Sequence, residues 1–237
     1  MPRGPVHLTL IAIGALSILS ACAREATPPE APLATPQTRE HELLERSAAA
    51  LGELRKDPRF AGVDVVLERA RAVVIFPRLV KASLIFGGEG GNGVLVARRA
   101  DGSWSDPAFY SLGSPSVGLQ VGYQEAVVVL FIMDDATLER VLHSSVLLGG
   151  TAGVTLGELD ELDRTRADVL SANVYQVVDA QGAFAGVSLD GYVIGARRER
   201  NRSYYGTAVT PRQILLDGSA PPRPAPALSI ALAPRAR

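Results

Sequence analysis

The chain is poor in the side chains that carry most enzymatic and metal chemistry. Its 237 residues include one cysteine, three histidines (His7, His41 and His143), one tryptophan and two lysines, Lys56 and Lys81. A lone cysteine excludes an internal disulfide framework, and with so few histidines it leaves little material for a zinc site. An excess of either charge is also missing: 24 basic residues against 25 acidic ones give a formal net charge of −1. Nucleic-acid binders need a large basic surplus to neutralise phosphates, so no nucleic-acid partner is expected. The sequence has no G-x-S-x-G elbow and no H-E-x-x-H helix. Nucleophilic and metal-assisted hydrolysis therefore lack support, and the chain reads as a non-enzyme with no catalytic residues, cofactor or metal. No apolar run reaches the roughly 20 residues of a membrane-spanning helix.

The single cysteine closes the longest apolar run. Residues 8–21 (LTLIAIGALSILSA) follow a short segment carrying Arg3, the layout of a secretory signal. The run ends in Leu19, Ser20, Ala21 and Cys22, which resembles the lipobox of bacterial lipoproteins: an aliphatic residue and two small ones before the cysteine. That resemblance implies a signal peptide at residues 1–21 and a diacylglyceryl group on the Cys22 thiol. At about 0.8 kcal/mol per buried methylene, several acyl chains make such an anchor effectively permanent. Ala23 follows Cys22, rather than the Asp that tends to hold Gram-negative lipoproteins at the inner membrane. The expected location is therefore the bacterial cell envelope, at the outer membrane and facing the periplasm.

Residues 22–40 and 218–237 are proline-rich and short of large apolar side chains, so they read as a disordered tether and a disordered tail. The folded domain is expected between them, at residues 41–217. Leu43, Leu44, Ser47, Ala48, Leu51 and Leu54 recur at helical spacing opposite charged residues and predict an amphipathic helix ending before Pro58. Further helices are expected at residues 63–71, 134–143 and 210–216. From residue 72 onward the texture is β-rich, with a hairpin signal at Asp101 and Gly102. Residues 126–133 are apolar without alternation and predict a strand buried on both faces. Runs at 169–178 and 183–194 read as strands joined across residues 179–182. Patterns such as AGVTLG (152–157) and AGVSLDG (185–191) alternate glycine with apolar residues and suggest a curled sheet. The expected fold class is α+β and β-rich, a curled or barrel-like antiparallel sheet with peripheral helices in a single domain.

Four segments carry polar chemistry. Residues 88–93 match G-x-G-x-x-G, but a strand pattern follows where a dinucleotide loop would open a helix. Glu158, Asp160, Glu161, Asp163 and Asp168 lack the order of a calcium loop and read as a solvated stretch. Asn201, Arg202 and Ser203 form a glycosylation sequon that carries little weight behind a lipobox. Arg197, Arg198, Arg200 and Arg202 put four guanidinium groups into six residues, and Arg78 and Lys81 form a second basic pair. Both basic groups are candidates for a phosphorylated lipid head group, with solvated ion pairs as the alternative.

The segments AVVIFPRLVKASLIFGGEGGNGVLVAR, GSWSDPAFYSLGSPSVGLQVGYQ, FAGVSLDGYVI and NRSYYG, in that order, closely resemble the SYLF domain. The resemblance spans residues 41–217. It implies a β-rich domain with peripheral helices and a phospholipid-binding role, with the helix at residues 42–56 and the basic Arg78 and Lys81 as candidate lipid contacts. Together with the lipobox it predicts a lipid-anchored, non-catalytic protein that binds phospholipid or a related amphiphile. The alternative is an envelope interaction module with a protein partner, in which lipid serves only as the anchor.

Overall fold

The run AVVIFPRLVKAS combines β-branched residues with a proline at its centre, and proline inside a central strand is tolerated only at an irregularity. In the computed structural model, which describes residues 36–83, 87–116, 122–149, 156–158, 172–180 and 189–235, this run is β1 (Ala72–Ser83). It lies between β2 (Gly87–Ala97) and β4 (Gly122–Ile132), antiparallel to both. Ile75 faces Val94 and Leu79 faces Gly91, so four steps along β1 match three along β2. Against β4, three steps from Phe76 to Leu79 match two from Val128 to Ala126. The extra residue is a bulge at Pro77 and Arg78, where a residue without an N–H is admissible.

The glycine-rich segment at residues 87–93 is the first half of β2, and the bulge explains its composition. A Cβ on Gly91 would lie 2.5 Å from the Arg78 carbonyl oxygen, and one on Gly93 would run into the Ile75 carbonyl oxygen and the Phe76 ring. Glycine is needed because two backbones approach closely, and not because a phosphate does.

The remaining strands are β3 (Ala108–Ser116), β5 (Val146–Leu147), β6 (Leu156–Glu158), β7 (Val174–Ala180) and β8 (Val193–Ala196). The sheet order is β5-β8-β3-β2-β1-β4-β7-β6. The first seven strands in that order are antiparallel neighbours, and β6 adds to β7 in parallel. The sheet curls into a half-barrel, so the fold class is α+β and β-rich as expected. The two runs read as joined across residues 179–182 contribute β7 and β8, which four strands separate in the sheet. The turn at Asp101 and Gly102 does join β2 to β3: Gly102 has φ 85° and the Asp101 carboxylate accepts from the Ser103 N–H at 2.9 Å.

Among the described residues six α-helices pack around the sheet: α1 (Pro36–Lys56), α2 (Val63–Arg69), α3 (Asp135–His143), α4 (Arg198–Tyr205), α5 (Pro211–Leu215) and α6 (Pro226–Leu232). The predicted stripe of α1 is buried throughout, from Leu43 to Leu54. It packs against α6 and the sheet, so the apolar face that the SYLF resemblance offers to lipid is already covered. Two boundaries move. Residues 36–40, assigned to the tether, begin α1, since a proline at the first turn costs a helix nothing, and Glu40 is buried there. The segment 218–237, assigned to a disordered tail, instead carries α6, which docks with Leu228 and Leu232 buried. Each such burial contributes roughly 2 kcal/mol. The Arg55 guanidinium fastens the segment further, donating to the carbonyl oxygens of Ala231 at 2.5 Å and Ala233 at 2.9 Å. Residues 34–237 group as one compact unit. Cys22 and the signal segment lie outside the described residues, as do Asp160, Glu161, Asp163 and Asp168 and most of the AGVTLG and AGVSLDG patterns. No described helix is long and apolar enough to cross a membrane.

Candidate functional site: a basic cleft beside α4

Helix α4 begins one residue after the arginine that follows β8, and its roll is set by the NRSYYG motif. Asn201 is fully buried and pairs with the Phe109 backbone in both directions. Its Oδ1 accepts from the Phe109 N–H at 2.8 Å, and its Nδ2 donates to the Phe109 carbonyl at 3.3 Å. The Tyr205 hydroxyl donates to the Pro107 carbonyl at 2.8 Å, and the Tyr204 ring meets Phe109 edge-on at 5.1 Å. Burial pushes the Tyr205 hydroxyl well above its ordinary pKa, which keeps it a donor. With both amide groups engaged in the core, Asn201 is closed to glycosylation, and the sequon is a structural motif.

This roll separates the four arginines. Arg200 turns toward α1, with its Nη1 3.4 Å from Oε1 of Glu40. Burial raises the Glu40 pKa despite the attraction of Arg200. Arg197 is the N-cap of α4, its carbonyl accepting from the Asn201 N–H at 3.0 Å, while its own N–H donates to the Phe109 carbonyl at 2.8 Å and its side chain is exposed. Arg198 and Arg202 stand one turn apart on the flank opposite Arg200. Both line a cleft of about 770 Å³, walled by His143, Ser144 and Ser145 at the end of α3 and by Thr210 and Arg212 at the start of α5. Gly195 in β8 makes room for Ser145, whose hydroxyl oxygen would lie 2.7 Å from a Cβ there.

The cleft contains cations of two kinds. Arg212 is neutralised: its Nη1 lies 2.7 and 2.6 Å from the two carboxylate oxygens of Glu139, and its Nε lies 3.5 Å from Asp217. The Glu139 hydrogen bond holds the guanidinium pKa above its ordinary value. His143 Nδ1 is 2.8 Å from the Glu139 carbonyl oxygen. A carbonyl only accepts, so Nδ1 carries the proton. The side chains of Arg198 and Arg202, by contrast, make no hydrogen bond or ion pair among the described residues. Like charges four residues apart cost a helix about 0.2–0.5 kcal/mol, and no ion pair among the described residues offsets that cost.

The other basic candidates lie elsewhere. Arg78 sits at the β1 bulge with its Nη2 2.5 Å from Glu125 on β4. Lys81 is in register with Glu89 of β2 and Gln124 of β4. Arg78 does not line the α4 cleft, and the Lys81 side chain lies outside what the structure describes. Reading the sequence alone missed His143, Ser144, Ser145, Thr210 and Arg212 as neighbours of the arginine run. They are separated from it in the chain by a helix cap on one side and by about fifty residues on the other, so no local spacing connects them. Among the described residues no group of three or more His, Cys, Asp or Glu could hold a metal ion.

The fold and the cleft together define a half-barrel α+β domain with a basic surface cleft at its α3–α4 corner. Residues 113–233, half of the chain, match the family model Ysc84, described as "Las17-binding protein actin regulator". The chain belongs to this Ysc84 (SYLF) family. It is 33% identical over 187 residues to LAS seventeen-binding protein 3 of Saccharomyces cerevisiae, covering 75% of this chain and 40% of the relative. To Protein YSC84 of the same yeast it is 35% identical over 155 residues, covering 63% and 33%. To the human SH3 domain-containing YSC84-like protein 1 it is 32% identical over 164 residues, covering 68% and 47%. The chain thus spans less than half the length of these relatives. No solved structure matches it.

Proposed function

We propose that the chain is a non-catalytic, lipid-anchored envelope protein, tethered through Cys22, whose SYLF domain binds anionic phospholipid at the α4 cleft. The carrying observation is the pair Arg198 and Arg202, two guanidinium groups that line a cleft and have no partner among the described residues. Every arginine with a described ion pair, such as Arg55, Arg59, Arg71, Arg78, Arg200 and Arg212, has its charge met inside the protein. Guanidinium groups left open at a surface are suited to phosphate oxygens, which they bind through paired N–H donors. A protein already held at a membrane needs only weak head-group affinity, because the tether supplies a high effective concentration.

Vesicle flotation of the mature chain carrying Cys22→Ser tests the lipid reading. Association with anionic vesicles at low salt, weakening as ionic strength rises, is the expected result; no association with any anionic vesicle overturns it. The anchor is tested separately in cells, where Cys22→Ser should abolish fatty-acid labelling.

A protein partner is the second reading. The name of the yeast relative LAS seventeen-binding protein 3 and the family's description as a Las17-binding protein both speak of binding to a protein, and they favour it. Crosslinking in intact cells that recovers one stoichiometric protein, with vesicle binding absent, would establish it in place of the first.

A further inference from the structure

From the same cleft, and resting on the lipid reading above, we infer that its ligand group is a phosphomonoester, a terminal phosphate, rather than the phosphodiester found in most phospholipids. Charge is the first reason. Arg212 is neutralised by Glu139 and Asp217, which leaves the two positive charges of Arg198 and Arg202. A phosphomonoester carries about −1.5 to −2 at pH 7, whereas a phosphodiester carries a single negative charge.

Donor geometry is the second reason. Residues four apart on a helix have Cβ atoms about 5–6 Å from each other, so the two guanidinium forks approach one anion from adjacent turns. A terminal phosphate presents three acceptor oxygens, enough for both forks at once. A phosphodiester has only two free oxygens, with less negative charge on them, to share between the forks. The Ser145 hydroxyl, also in the wall, is a neutral donor within the same cleft, whereas that of Ser144 donates to the Arg140 carbonyl at 3.3 Å.

The test uses the mature chain with Cys22→Ser and two sets of phosphatidylcholine vesicles matched in surface charge, one containing phosphatidic acid and the other phosphatidylglycerol. Binding to phosphatidic acid should be about tenfold tighter or more, the worth of one additional charge-assisted hydrogen bond. Arg198→Gln and Arg202→Gln should each bring that affinity down to the phosphatidylglycerol level. Arg46→Gln, the same charge change on the exposed face of α1, should leave the preference intact. Near-ultraviolet circular dichroism verifies that each variant remains folded. Equal affinity for the two vesicle sets overturns the phosphomonoester assignment and leaves the lipid reading standing. Equal losses from Arg46→Gln and Arg202→Gln overturn the cleft as the site. Failure to bind either vesicle overturns the lipid reading itself. In that case soluble glycerol 3-phosphate, titrated by calorimetry, separates the sources: saturable binding lost in Arg202→Gln shows the same phosphate chemistry serving a free ligand, and no heat overturns the assignment altogether.

Discussion

Two segments stand apart from the rest of the chain by composition: residues 87–93, with five glycines in seven, and residues 197–202, with four arginines in six. Each looks like a ligand signal, a phosphate-cradling loop in one case and a phosphate-binding patch in the other. The fold accounts for Gly91 and Gly93 of the first through the β1 bulge, which brings the backbone at Ile75 and Arg78 against β2. It accounts for only part of the second. Arg200 is spent on Glu40, Arg197 gives only its backbone to the helix cap, and Arg198 and Arg202, which line the cleft, have no side-chain partner among the described residues. Unusual composition signals function only where packing has not already used it up.

The sharpest way to break this contrast is at the glycines. Gly91→Ala and Gly93→Ala should each cost about 3 kcal/mol, because each added Cβ meets backbone that cannot rotate away. The loss would appear as a lower urea midpoint with unchanged slope. Gly52→Ala is the counterpart, since nothing lies within 4 Å of a Cβ there. It should stabilise the helix by about 0.5–1 kcal/mol. Tolerance of alanine at both Gly91 and Gly93 would show that the glycines serve a ligand instead of the bulge.

Next in size is Asn201→Ala. Removing the amide strands the buried N–H of Phe109 and one acceptor site of its carbonyl, at about 2–3 kcal/mol. The same unfolding measurement reads it, and a cost below that of an ordinary exposed substitution would return the residue to the surface and reopen the sequon.

Much of the architecture was legible in the sequence, for reasons that are local. The α1 stripe and the α5 start can be read from spacing and capping alone: Thr210 accepts from the Gln213 N–H at 3.3 Å and Gln213 reaches back to the Thr210 N–H at 2.8 Å. The same holds for α3, where Asp134 caps the helix by accepting from the Thr137 N–H at 2.7 Å. The glycine strand was not legible, because its cause is a bulge in a neighbouring strand, and glycine in isolation signals a turn. The α6 docking was hidden for a related reason. Two leucines among prolines look too few to fold, and only the groove beside α1 and the carbonyl-seeking Arg55 make their burial sufficient. The cleft was half visible: the arginines are contiguous in the chain, while the walls they face come from residues 143–145 and 210–212.

A smaller effect is expected at the α3 cap. Burial works against the Asp134 charge, but hydrogen bonds from the Thr137 N–H, Asn173 and the Thr137 hydroxyl outweigh it and hold the pKa below the ordinary carboxylate range. The depressed value means that the cap contributes its stability above the unfolded pKa and loses it as pH falls through the folded one. Asp134→Ala should therefore cost about 1 kcal/mol near neutral pH, with the gap from the native chain closing in strong acid. Unfolding curves at pH 7 and below pH 3 check both halves.

The smallest effects lie within the arginine run itself, where sign matters more than size. Arg200→Gln should destabilise the fold by up to about 1 kcal/mol, because it leaves Glu40 buried without its cation. That loss depends on pH: Glu40 has a raised pKa, so the folded state holds its proton more tightly than the unfolded chain does, and stability falls as pH rises through the carboxylate range. Removing Arg200 should steepen that fall. Arg202→Gln should move the other way, gaining about 0.2–0.5 kcal/mol as the repulsion between Arg198 and Arg202 is relieved, with no new dependence on pH. Opposite signs from two arginines two residues apart would mark one as part of the fold and the other as charge held against the fold's own interest. Equal losses from both would mean that Arg202, too, is held by the protein.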